Sequence, residues 1–253
     1  MSDAAGLSSP LEVGDPDRRP ESLRKFNPKQ YQEATGCLLY LSNNTRPDLC
    51  YAVSKLCQKN QDPTVSDWND VKHVLRYLVT TKDLKLCYRR TGEVAKVYCD
   101  ADFAGDLTDR KSRCGYVIMI ANCAVSWYSK KQQSCTALST VEAEYVCMCE
   151  ITREVVWIKA LLDELGVDEI VGSPCVVFCD NQGAIGLAKD ADRNVSERSK
   201  HIDVQFHYCR EMQQLGVVKF QYVKSNENVA DIFTKALKGA KQTEMCSKLG
   251  MIK

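Results

Sequence analysis

Residues 97–106 read V-Y-C-D-A-D-F-A-G-D, an apolar run that delivers an acid at Asp100. A carboxylate at the end of a buried strand costs several kcal/mol to desolvate unless a cation or a set of donors holds it. Three more acids occupy comparable places. Glu144 heads a helical stripe of Met148, Ile151, Val155, Ile158 and Leu162 that must face a core. Asp180 follows the wholly apolar run at residues 175–179, and Asp231 opens the segment 229–237. Asp180 also suits a helix N-cap, and Asp231 falls three places after an Asn228 cap, where the helix dipole favours an acid. Glu142 lies about 200° round the helix from Glu144; it completes a Ser139-Thr140-Val141-Glu142 capping box and is read as a cap. Four carboxylates directed at one end of a sheet would repel one another by several kcal/mol without cations among them. Hard oxygen donors select Mg²⁺ or Mn²⁺. Two such ions about 4 Å apart are the arrangement for in-line phosphoryl transfer.

The elements that must position these acids are legible as alternating strands and helices. Residues 96–99 form a first strand, followed by a turn carrying Gly105, Asp106, Asp109, Arg110, Lys111 and Arg113. Residues 115–121 and 124–128 read as a hairpin around Asn122-Cys123. Residues 139–165 make the longest helix, stopped by Gly166, before the buried strand 175–179. Helices near 183–188 and 199–215, a strand at 217–223 and a helix at 229–237 complete the order. This is an α/β pattern, a mixed sheet with helices on both faces. Asp102 and Asp106 are read as turn or outer residues rather than ligands.

Ahead of that pattern, residues 28–90 have helical texture. Tyr31, Ala34, Cys37, Leu38 and Leu41 line one helix, Leu49 to Cys57 a second, and Val71, Val74, Leu75 and Leu78 a third beginning near Ser66. His73 there carries no chemistry. Residues 1–27, with three of the seven prolines, are read as a disordered tail, and 241–253 as a C-terminal tail.

Hydrophobic residues make up 44% and charged residues 26%, and the net charge of +1 does not by itself announce a nucleic-acid binder. Fourteen cysteines sit mostly in apolar runs with no C-x-x-C pair, which argues against a zinc or disulfide framework and for reduced core thiols of an intracellular protein. No apolar run approaches the roughly 20 residues of a membrane span, and the polar N-terminus lacks a signal-peptide core. A cytoplasmic or nuclear, non-secreted protein is expected.

Y-C-D-A-D-F-A-G-D, R-K-S-R-C-G-Y, L-S-T-V-E-A-E-Y, F-C-D-N-Q-G-A-I, S-K-H-I-D-V-Q-F-H-Y-C-R-E and N-V-A-D-I-F-T-K-A-L resemble, in that order, the ribonuclease H domain of copia-type retrotransposon Pol polyproteins. The segment with L-L-Y-L-S-N-N-T-R-P-D-L-C-Y-A-V resembles the end of the reverse transcriptase that precedes it. The resemblance implies a ribonuclease H-like fold over residues 91–240, with a five-stranded sheet. It implies a metal-dependent endoribonuclease that cuts the RNA strand of RNA–DNA hybrids with two Mg²⁺ ions. Asp100, Glu144, Asp180 and Asp231 would be its ligands, and a reverse transcriptase or polyprotein is an implied partner. Lys111, Arg113, Asn181, Arg198, Lys200 and His207 are candidate substrate contacts, although the four cations are equally plausible as solvated charges and His207 as a packing residue. Relatives often carry a histidine shortly before the last acid, and residues 219–231 contain none. The alternative is a domesticated fragment that binds nucleic acid or protein without cutting.

Overall fold

The helical start is set by local chemistry. Asn27 caps helix α1 (Pro28–Asn44), its side chain accepting from the Lys29 and Gln30 amides, and Pro28 takes the first helical position, where a missing N–H costs nothing. The computed structural model describes residues 6–12, 24–106, 108–133, 137–189 and 200–253, with the backbone alone over 200–206. It divides into one unit of Met1–Cys87 with Lys235–Lys253 and a second of Tyr88–Thr234.

In the first unit, α1 is followed by α2 (Cys50–Cys57) and α3 (Val65–Thr80). Thr64 and Asp67 form a reciprocal capping box, so α3 begins a residue earlier than Ser66. Tyr31, Leu38, Leu49, Val53, Val71, Val74 and Tyr77 make its core. The expected C-terminal tail is instead structured. Residues Gly239–Lys248 form a helix and Met251–Ile252 a short strand that pairs antiparallel with Lys85–Leu86. Met245, Cys246, Leu249 and Met251 are buried, so this stretch contributes to a core. Interleaved Lys241, Glu244 and Lys248 hide its short apolar stripe from a sequence reading. Most of the expected N-terminal tail, residues 1–5 and 13–23, lies outside the described residues. Of its described part, Leu7, Leu11 and Phe26 pack against the helical core.

The second unit is built on a mixed five-stranded sheet. With Lys85–Leu86 counted as β1, the strands are β2 (Lys96–Asp102), β3 (Arg113–Ile120), β4 (Cys123–Lys131), β5 (Cys175–Cys179) and β6 (Val218–Tyr222), in the order β4-β3-β2-β5-β6. The first three form an antiparallel meander, and β5 and β6 add in parallel on the other side of β2. Ala121 and Asn122 both have positive φ, the conformation a two-residue hairpin turn demands between right-twisted strands. Helix α4 (Thr140–Glu164) buries Met148, Ile151, Val155 and Ile158 against the sheet, joined by residues of α5 (Gln182–Lys189) and α6 (Lys200–Gln214). One cysteine pair departs from the expectation of reduced thiols: Cys114 on β3 and Cys147 on α4 are joined as a disulfide, with Cα atoms 5.2 Å apart. No helix among the described residues is long and apolar enough to cross a membrane.

Candidate metal centre

Strand β2 runs past Cys99 to Asp102, so Asp100 lies within the ladder, opposite Gly115. It is 4% exposed. A Cβ on Gly115 would lie 2.7 Å from both Phe233 Cβ and Thr234 Cγ2, so only glycine lets the chain after β6 cross this register. That chain is not the α-helix expected over 229–237. It is a five-residue 3₁₀ helix, Val229–Phe233, capped by the Asn228 side chain, which accepts from the Ala230 amide. Its pitch of about three residues per turn stacks side chains three apart. Asn228, Asp231 and Thr234 are spaced by three, and each is buried. Asn228 Nδ2 donates to the Cys99 carbonyl at 2.9 Å, and Thr234 Oγ1 donates to Asp100 Oδ2.

Glu144 comes from the first turns of α4. Ser139 caps the helix by accepting from the Glu142 amide, and Glu142 reaches back to the Leu138 amide at 2.6 Å. Glu142 is thus occupied at the helix start, while Glu144 points inward at 5% exposure. Asp180 follows β5, but the cap of α5 is Asn181, whose Oδ1 accepts from the Ala184 amide at 3.0 Å. Asp180 is therefore released from the N-cap role its position suggested, and it accepts a hydrogen bond from the Ser225 hydroxyl.

Ligand atoms of Asp100, Asp180 and Asp231 lie within 4.8 Å of one another, and so do those of Glu144, Cys179 and Asp180. Asp180 belongs to both groups. Two unit charges at that separation repel by about 3 kcal/mol at an effective dielectric of about 20. The consequence is visible at Glu144, whose carboxyl is pushed up to about 11 by burial first, then by Asp100, Cys179 and Asp180, against a hydrogen bond from the Ala101 backbone. A hydrogen bond with the adjoining Cys179, and then burial, likewise raise the Cys99 thiol. Carboxylate oxygens so arranged fit one or more hard divalent cations, which would relieve the repulsion.

The remaining candidates are dispersed. Arg113 is buried on β3 and donates to Ser129 Oγ at 3.2 Å, so it is not a solvated phosphate contact. Half-buried Lys111 reaches the Gln133 carbonyl. Asp106 and Asp109 of the turn both grip Lys131, at 2.7 and 2.8 Å. His207 is exposed on α6 and lines a groove with Arg210, Glu211 and Gln214. Arg198 lies outside the described residues, as do the side chains of Lys200 and His201. Thr234, Ser225 and Gly115 were not singled out by the sequence. The threefold spacing of Asn228, Asp231 and Thr234 was a usable signal for the first, had the segment been read as 3₁₀ rather than α.

No protein-family model matches the chain. It is 41% identical over 219 residues to the retrovirus-related Pol polyprotein from transposon TNT 1-94 of Nicotiana tabacum. It is 38% identical over 228 residues to that from transposon RE2 of Arabidopsis thaliana. These matches cover 87% and 90% of this chain, but only 16% and 15% of the relatives, so the chain spans about one sixth of their length. It is also 44% identical over 129 residues to secreted RxLR effector protein 161 of Plasmopara viticola, covering 51% of this chain and 90% of that one. Among solved structures, LC11-RNase H1 in complex with an RNA/DNA hybrid overlays with a TM-score of 0.40 at 14% identity, over 55% of this chain and 93% of that one. A likeness that loose assigns no residue a role.

Proposed function

We propose, from the chain's similarity to the retrovirus-related Pol polyproteins of copia-type transposons, that residues 88–234 form a ribonuclease H-like, metal-dependent endonuclease acting on the RNA strand of RNA–DNA hybrids. The observation that carries this reading is the convergence of Asp100, Glu144, Asp180 and Asp231, from four separate elements, at the carboxyl end of two adjacent parallel strands. Asp180, common to both groups of ligand atoms, suits a residue shared between two ions. Carboxylate oxygens favour Mg²⁺, with Mn²⁺ as a substitute. When bound, such ions supply an activated water and neutralise charge at the scissile phosphate. The protein's own part is to hold four acids at fixed spacing and to keep Glu144 poised to ionise as a cation arrives. Hybrid recognition would rest on helix shape and 2′-hydroxyl contacts, without base readout. The helical segment of residues 28–87 is read as the end of a reverse transcriptase, and a reverse transcriptase is the partner proposed for this chain.

Purified protein incubated with a labelled RNA–DNA hybrid should cut the RNA strand with Mg²⁺ and not with EDTA, and Asp180→Asn should be inert. Intact RNA under Mg²⁺, or cleavage indifferent to the substitution, removes the nuclease reading. A second reading, a fragment that binds without cutting, is favoured by the Plasmopara viticola relative, which this chain covers almost entirely and whose name assigns it a different role. Hybrid retention in a gel shift without any product would support it.

A further inference from the structure

Thr234 is fully buried, at 0% exposure, on the chain that leaves the 3₁₀ helix. We infer that it is the positioning residue that orients the Asp100 carboxylate and fastens the Asp231 segment to β2; the inference rests on the metal-site reading of the four acids. Its Oγ1 donates to Asp100 Oδ2 and lies 3.2 Å from the Asp231 carbonyl. A hydroxyl has one proton, and an ionised carboxylate is a stronger acceptor than a peptide carbonyl, so the proton belongs to Asp100. A donor fixed on Oδ2 restrains rotation about the Asp100 Cβ–Cγ bond. It thereby sets both oxygens relative to Asp180 and Asp231, whose ligand atoms share a 4.8 Å cluster with Asp100.

Two independent restraints show that the segment is built for this register. Asn228, three residues before Asp231, bonds the Cys99 carbonyl immediately ahead of Asp100. Gly115, the ladder partner of Asp100, leaves the space that Phe233 and Thr234 fill. Asn228 at the cap, Asp231 within the 3₁₀ helix and Thr234 just after it thus fasten the segment at its two ends and its middle.

The test uses the full chain with Mg²⁺ as the probe, titrated calorimetrically without substrate, beside the Mg²⁺ dependence of hybrid cleavage. Thr234→Val keeps the shape and deletes the donor; it should weaken Mg²⁺ binding about tenfold or more, as loss of a partner to a metal ligand does. Turnover should largely return at high Mg²⁺. Thr234→Ser should track the wild type in both readouts. A folded Thr234→Val protein that binds Mg²⁺ like the wild type overturns the inference. If the valine variant does not fold, Thr234→Ala is read on the same titration. If neither folds while Thr234→Ser does, the residue is a folding determinant, and the positioning role is overturned. Wild-type protein that binds Mg²⁺, loses it in Asp180→Asn and leaves hybrids intact would refute the nuclease while the titration still decides Thr234. Wild type that takes up no Mg²⁺ refutes the metal site and this inference together.

Discussion

Asp48 in the helical unit and Glu144 in the sheet unit are both buried acids, at 1% and 5% exposure, and their surroundings answer them in opposite ways. Asp48 receives Arg46 in a two-pronged pair, Nε to Oδ1 at 2.9 Å and Nη2 to Oδ2 at 2.7 Å, and the Tyr77 hydroxyl at 2.8 Å. Arg46 in turn donates to the Thr81 carbonyl and hydroxyl, and Gln242 donates to the Asp48 carbonyl. Burial disfavours the Arg46 charge, yet its pairing with Asp48 raises its pKa overall. Glu144 faces Asp100, Cys179 and Asp180, each of which pushes its carboxyl further up. A charge buried for architecture is neutralised within the chain. A charge buried among its like is arranged for something the chain does not itself supply.

The contrast breaks most visibly at the paired acid. Asp48→Ala leaves Arg46 buried without its carboxylate and should cost about 3–5 kcal/mol, read as a lower urea midpoint by circular dichroism. Arg46→Met combined with Asp48→Leu should recover most of that. An Asp48→Ala protein that melts with the wild type would show the network to be ornamental.

At Glu144 the sign is reversed. Its folded pKa lies above its ordinary 4.5, so the folded state holds a proton that the unfolded state has released. Metal-free protein should therefore lose stability as pH rises from about 4.5 towards 11, with a slope of up to about 1.4 kcal/mol per unit. Glu144→Gln should flatten that slope in metal-free melts and abolish Mg²⁺-dependent cleavage. Saturating Mg²⁺ should oppose the wild-type slope, because a bound cation favours the ionised carboxylate. A Mg²⁺-free stability that rises over this window would contradict the like-charge environment.

Gly115→Ala tests the packing that joins the two sides of the site. The added methyl meets Phe233 Cβ and Thr234 Cγ2 at 2.7 Å, so the 3₁₀ segment must shift. Overpacking of this kind costs about 1–3 kcal/mol, and Mg²⁺ affinity should fall with it. An unchanged calorimetric Kd would mean that the segment's placement does not matter to the acids.

What was legible in the sequence came from periodicity and from strand ends. The α4 stripe below Glu144, the apolar strand before Asp180 and the hairpin after Asp100 are all local patterns. What was missed depended on geometry or distance. A five-residue 3₁₀ helix looks like the start of an α-helix until its geometry is known, so Asn228 was read as the cap and Asp231 placed after it, but Thr234 was not linked to them. The return of residues 239–252 to the helical unit rests on contacts across more than 150 positions of sequence, as between Tyr77 and Cys246. Arg113 looked like a surface cation because nothing in R-K-S-R-C-G-Y shows that the strand holding it is covered.

Asp180 and Asn181 give the smallest and sharpest form of the contrast, because they are adjacent and differ by one atom type. Read from sequence, Asp180 was a candidate metal ligand that could equally cap the next helix, and Asn181 a candidate substrate contact; in the structure Asn181 caps α5 and Asp180 joins the acids. Asn181→Ala should cost about 1 kcal/mol of stability, as the loss of an N-cap usually does, while Asn181→Asp, which keeps an acceptor, should cost less. Neither should move the Mg²⁺ affinity by the order of magnitude expected for Asp180→Asn, which in turn should leave the melting temperature of metal-free protein unchanged or raised, since it removes one of several repelling charges. If Asn181→Ala instead preserves stability and weakens hybrid binding, the two neighbours have been assigned the wrong way round.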